Sequence, residues 1–315
     1  MASSGAVRWL GTSCCCGREV GRPATPWHGL LYGAYFVCAL ALAAAVVINH
    51  VRGWPWLRAI PQGYELSLLG VPLFLAAGAG DLVWHTLFGF EVNIEALLSP
   101  THLLLASSAI LIMAGPFRAA WQRTDAVNAH NWRTLFPALL SLLIVFSVFT
   151  FFTRFAHPFS WTSLVTDGLT NEEKSRGVGA ILLQAAILMG FLLFAMRRWR
   201  LPLGTFTLVF TLNAVLVGLK DDKVFLIPAV LLAGVAVDLL YWYLRPAVGR
   251  VAVLRLFAFS VPVVYYLGYF ITLMLTSGIT WSIHLWLGSI VMAGIIGLTL
   301  SYILLPPASP LKYEG

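Results

Sequence analysis

Three side chains in one short stretch have the types and spacing to hold a metal ion. Asp81 and His85 stand in Gly80-Asp81-Leu82-Val83-Trp84-His85, and His102 stands in Ser99-Pro100-Thr101-His102. A separation of four places Asp81 and His85 on one face of a helix. Two imidazoles and one carboxylate suit copper, zinc or iron, and spacing alone does not choose among them. Glu91 and Glu95 lie in the segment between. Each can act as a further ligand, as a partner for an imidazole N–H, or as a general base. A purely structural arrangement is also open, in which Asp81 pairs with His85 and His102 helps to cap its own helix.

These residues can meet only if helices bring them together. An apolar run over 65–88 ends with the Asp81–His85 pair, and Ser99-Pro100 reads as an N-cap followed by proline at the first helical position. His102 then falls in the first turn of the next helix. The connection of about a dozen residues makes the two helices antiparallel neighbours, so the end of one lies beside the start of the other. Asp81 sits about 10 Å inside its helix end. An ionisable group at that depth in a bilayer is costly unless it is paired or liganded.

The whole chain has the composition of a membrane protein. Of its 315 residues, 59% are hydrophobic and 10% charged, with a mean hydropathy of +0.85. So few charges cannot cover so much apolar surface in water, which excludes a soluble enzyme, a disordered chain and a disulfide scaffold. Windows of spanning length predict an all-α polytopic bundle of about nine transmembrane helices, near 30–50, 65–88, 100–117, 135–152, 178–197, 203–219, 224–244, 252–275 and 279–304. The implied organisation is an N-terminal arm over 1–27, expected to be disordered, a transmembrane domain over 28–306 and a C-terminal tail over 307–315. No cleavable signal peptide is evident in the first 27 residues.

The net charge of +7 comes from loop residues, and no basic stripe with interleaved aromatics points to nucleic acid. An extracytoplasmic N-terminus and a cytoplasmic C-terminus place Arg52, Arg58, Arg118, Arg123, Arg133, Arg197, Arg198, Arg200, Arg245, Arg250, Arg255 and Lys312 inside. Arg154, Lys174, Arg176, Lys220 and Lys223 then lie in outer loops, a bias of the sign that the positive-inside rule asks, while Arg8, Arg18 and Arg22 of the N-terminal arm fall on the outer side against it. In that arrangement the Asp81 group faces outward. Cys14, Cys15 and Cys16 are adjacent, which suits neither a disulfide framework nor paired metal-ligand spacing.

Asp-x-x-Trp-His followed by Ser-Pro-Thr-His resembles a metal-site signature of the copper membrane monooxygenases, the methane and ammonia monooxygenase family. The signature belongs to the polytopic copper-binding subunit of those enzymes. The resemblance covers 81–102, with Trp84 and Pro100 matching the flanks. It implies a helical subunit of a larger membrane assembly, with copper held by Asp81, His85 and His102. No Asn-x-x-x-His pair is present for the second copper site of that subunit.

Other residues give weaker signals. His284, between Trp281 and Trp286, can complete a site from the far end of the chain or sit in an aromatic belt. Asp238 lies seven residues before Arg245, two turns along one face, which predicts an ion pair or a proton relay. Lys220-Asp221-Asp222-Lys223 predicts a solvated turn with local pairs, and Asn213 an interhelical hydrogen bond. No phosphate loop, His-Glu-x-x-His or Gly-x-Ser-x-Gly motif occurs. Two further functions stay open: a zinc-dependent intramembrane hydrolase, which needs His284 beside the other ligands, and a transporter or structural membrane subunit without catalysis.

Overall fold

The computed structural model describes residues 26–91, 94–123 and 131–305. Cys14, Cys15, Cys16, Lys312 and the expected tail lie outside the described residues. So does the expected arm, except that its last two residues already belong to the first helix. The helices are α1 (Pro26–Val51), α2 (Glu65–Phe88), α3 (Ile94–Leu98), α4 (Pro100–Met113), α5 (Gly115–Gln122), α6 (Trp132–Phe152), α7 (Ser163–Thr166), α8 (Asn171–Arg198), α9 (Thr205–Lys220), α10 (Ile227–Leu244), α11 (Val251–Thr276) and α12 (Ile283–Leu304). No strand occurs among the described residues.

Among the described residues seven helices are long and apolar enough to cross a membrane: α1, α2, α6, α8, α10, α11 and α12, the tenth counted with the turn before it. The chain is an integral multi-pass membrane protein. The expected third span is broken. Between α4 and α5 the axis bends by 41° at Ala114, so the two make an eighth span only as a bent pair. Pro116 causes the break, because it has no N–H to donate and its ring crowds the carbonyl one turn back. Ser141 of α6 repairs the ladder there, donating to Met113 O at 2.5 Å and accepting from Phe117 N at 3.4 Å. The expected sixth span, α9, has 16 residues. At 1.5 Å per residue it covers about 24 Å, less than the ~30 Å hydrocarbon core.

Helix starts follow their sequence signals. Asn131 caps α6 by accepting from Thr134 N at 3.0 Å. Thr170 and Glu173 form a reciprocal capping box on α8. Buried Asn213 donates to Thr150 Oγ1 at 3.1 Å and so ties α9 to α6.

The apolar interior falls into two clusters. The larger runs through α5, α6 and α8–α12. The smaller joins Tyr35 of α1, Phe74 and Ala77 of α2, and Leu105 and Ile112 of α4. Close approach in both depends on glycine. A Cβ on Gly70 would stand 2.9 Å from Ser108 O across α2–α4, and one on Gly297 would stand 2.1 Å from Ala258 O across α11–α12. α1 touches little else: Tyr35 stacks on Phe74 at 4.6 Å and donates to Val71 O, while most of the helix is exposed.

Candidate metal centre

α2 and α4 pack along each other, and their adjoining ends carry Asp81, His85 and His102. The cap on α4 forms as its residues predict. Ser99 is extended, Pro100 follows it, and Ser99 Oγ accepts from His102 N at 3.4 Å. This fixes His102 in the first turn, facing the last turns of α2. One ligand atom from each of the three residues lies within 4.8 Å of the others. His85 Nε2 is 3.3 Å from Asp81 Oδ2, and His102 Nε2 is 3.7 Å from Asp81 Oδ1. Two donors held 2.0–2.2 Å from one ion at a tetrahedral angle lie about 3.3–3.6 Å apart, so the spacing fits a shared ion. Asp81 is 7% exposed, while the two imidazoles are half-buried and meet at 5.6 Å between ring centres.

Polar contacts around the group engage one nitrogen of each ring. His85 Nδ1 faces Gly89 O at 3.2 Å and Glu91 Oε2 at 3.1 Å, and both are acceptors. An N–H on Nδ1 would satisfy these acceptors, and Nε2 is the ring nitrogen that faces Asp81. His102 Nδ1 is 2.6 Å from Ser99 Oγ, Ser99 Oγ is 3.5 Å from Thr101 Oγ1, and Thr101 donates to Asp81 Oδ1 at 2.6 Å. The Ser99 contact engages Nδ1 of His102 and leaves Nε2 as the ring nitrogen that faces Asp81.

Glu91 is not among the three. It stands at the opposite edge of the His85 ring, and its Oε1 accepts from Trp84 Nε1 at 2.5 Å. Gly89, at φ +83, turns the chain back far enough to bring it there. Glu91 Oε2 lies 3.1 Å from His85 Nδ1 as a charge contact, without hydrogen-bond geometry. Glu95 is exposed on α3 and makes no hydrogen bond or ion pair among the described residues. His284 is exposed at the start of α12, beside Thr280 and the first turns of α8. α12 packs on α11 and α8, not on α2 or α4, so His284 is not brought to the other three.

An apolar cavity of about 600 Å³ lies beside His102. Its walls include Phe74, Leu105, Leu143, Phe152 and Leu216, from α2, α4, α6 and α9. No span in the sequence marks it, because it depends on how four helices splay at one end.

Asp238 and Arg245 do not form the expected ion pair. Asp238, 3% exposed, instead accepts from Gly204 N at 2.9 Å, Phe206 N at 3.4 Å, Thr207 N at 2.8 Å and Thr207 Oγ1 at 2.6 Å. Gly204, before α9, has no side chain to cap with, so the carboxylate of a neighbouring helix satisfies that helix end. Arg245 closes α10 in a left-handed conformation at φ +48.

The turn after α9 also departs from expectation. Asp221 takes both Arg154 Nε at 2.8 Å and Arg154 Nη2, and Ser160 Oγ donates to its other oxygen at 2.5 Å. Burial alone would raise this carboxyl, but the Arg154 and Ser160 hydrogen bonds and the Arg154 charge hold it below the usual carboxylate range. Buried His157 lies beside this pair and accepts from Phe159 N at 3.1 Å through Nδ1. Burial pushes its imidazole down to about 4, with the Asp221 charge opposing and the Arg154 charge adding. Neither residue is in contact with Asp81, His85 or His102.

Comparison of the chain with protein-family models, with curated proteins and with solved structures returned no match.

Proposed function

We propose that Asp81, His85 and His102 are the ligands of a metal centre, copper in the first place, in an integral membrane protein whose site is of the copper membrane monooxygenase kind. The observation that carries this reading is the convergence of two imidazole Nε2 atoms on one carboxylate, with both Nδ1 atoms already engaged. Copper follows from the resemblance over 81–102 and from its place at the top of the affinity series for nitrogen and oxygen donors. When bound, copper supplies one-electron and dioxygen chemistry.

This chain's own residues do the positioning. Thr101 and Ser99 hold Asp81 and His102, Gly89 O holds His85, and the Glu91 carboxylate stands beside that ring. Such outer partners set ring orientation and ligand basicity. The cavity beside His102 supports an apolar co-reactant, because its walls offer almost nothing to hydrogen-bond. The distribution of basic residues supports a centre at the extracytoplasmic face. The resemblance also implies further membrane subunits, which co-purification from the native membrane would reveal.

Elemental analysis of protein purified in mild detergent without chelator tests the reading. Near-stoichiometric copper in the wild type, lost in D81A/H85A/H102A, is the expected result. Zinc or iron lost in the same way would replace copper as the metal. No metal in the wild type after reconstitution with each ion would overturn the centre and leave a carboxylate–imidazolium pair with a structural role.

A further inference from the structure

We infer that Arg200, Arg245 and Arg250 form a binding site for a phosphate-bearing anion, either the headgroup of an acidic phospholipid or free phosphate. The three line a cavity of about 540 Å³ between the α8–α9 connection, the end of α10 and the α10–α11 turn. This volume is that of an ordinary small-ligand site. The inference is independent of the metal centre, which lies at the other end of the bundle. Phe152 and Leu216 stand beside His102, so α6 and α9 end at the Asp81 side. Asp238 caps the start of α9, so Arg245 and Arg250, which follow it, belong to the opposite side.

Charge selects the ligand. Among the described residues none of the three arginines makes an ion pair. Asp238, the carboxylate of α10, already accepts from Gly204, Phe206 and Thr207. Three arginines lining one cavity without a carboxylate partner gather positive charge there, and an anion that enters it is stabilised. Arginine's planar fork matches phosphate oxygens in pairs, which makes it the residue type suited to this task.

Geometry selects the depth. Arg250 Nη1 donates to Leu244 O at 2.9 Å and to Arg245 O at 3.3 Å, which anchors one guanidinium on the last carbonyls of α10 and leaves its other N–H groups for a ligand. Trp242, 61% exposed, and Tyr241 form the apolar wall. An exposed tryptophan at a span's end sits at headgroup level. A basic cavity between helices at that level is a recognised headgroup site.

Binding of short-chain lipids to the purified full-length protein tests this. The probes are dioctanoyl phosphatidylglycerol, dioctanoyl phosphatidylcholine with the same acyl chains, and sodium phosphate. Phosphatidylglycerol is expected to bind at least about tenfold more tightly than phosphatidylcholine, and R200Q/R245Q/R250Q to lose that preference. The control R52Q/R58Q/R133Q removes the same charge at the same end of the bundle and is expected to change affinity by less than about twofold. Sodium phosphate that binds as tightly as phosphatidylglycerol would identify the free anion as the source. If the triple variant does not fold, R200Q alone serves, because Arg200 makes no hydrogen bond among the described residues. Equal binding of the two lipids with no phosphate binding, or an equal loss in the control, would overturn the site.

Discussion

Thr101 Oγ1 donates to Asp81 Oδ1 at 2.6 Å, so the residue immediately before His102 clamps the carboxylate that His102 faces. One turn of α4 therefore sets both a ligand and the orientation of its neighbour on α2. Thr101→Val removes the hydroxyl without changing side-chain size. Metal affinity, measured by competition with a chelator, is expected to fall about 10–100-fold while the helical circular dichroism is unchanged. Thr101→Ser should restore most of it.

Ser99 has two tasks, the cap of α4 and a contact with His102 Nδ1. Ser99→Ala is expected to cost about 1 kcal/mol through the lost cap. It should also lower metal affinity, through the freed imidazole. Ser99→Asp keeps an acceptor for the backbone N–H and should retain the stability. Thermal unfolding in detergent and metal titration read the two effects separately.

Asp238 and Arg245 hold separate places in the fold, so their substitutions should behave differently. Asp238→Ala strips the start of α9 of its acceptor and leaves buried N–H groups unsatisfied, a cost of about 3 kcal/mol. Arg245→Gly relieves a left-handed residue at φ +48 and should raise the unfolding temperature. An ion pair would make both substitutions destabilising.

His157 supplies an acid dependence. Its imidazole titrates near 6.5 in the unfolded chain and about 4 in the folded one, so the unfolded state binds more protons between those values. Stability is complete above about pH 6.5 and falls as pH drops toward 4, by up to about 3 kcal/mol. Asp221 acts in the same direction at lower pH, because its carboxyl is also depressed on folding. Unfolding temperatures between pH 7 and 4 should show the loss, and His157→Gln should flatten the upper part of it.

Much of this architecture is legible in the residues alone. The apolar runs announce the spans, and Ser99-Pro100 announces the start of α4, because both signals are local. The i, i+4 spacing of Asp81 and His85 is equally local, and the short connection supplies His102. The misplaced carboxylates have one physical origin. Asp238 lies seven residues from Arg245 but 31 from Thr207, and Asp221 lies 67 from Arg154. A buried carboxylate takes whichever donors the packing of distant helices presents. Glu91 is ambiguous for a related reason, since its side of the His85 ring depends on the reversal at Gly89. The break at Ala114 has a local cause in Gly115-Pro116, which the hydropathy of the run conceals.

The division of the interior into two apolar clusters has a consequence for how the molecule comes apart. α2 and α4 share the small cluster with α1, apart from the larger one that binds α5, α6 and α8–α12. The helix pair that carries Asp81, His85 and His102 is tied to the rest mainly through Ser141–Met113 and Arg118–Glu65, and is expected to open before the larger cluster does. An ion bridging α2 and α4 would close that pair by mass action. Amide exchange in the first third of the chain should therefore slow on metal loading and leave α8–α12 unaffected, and a protease should cut the metal-free protein first between α2 and α4.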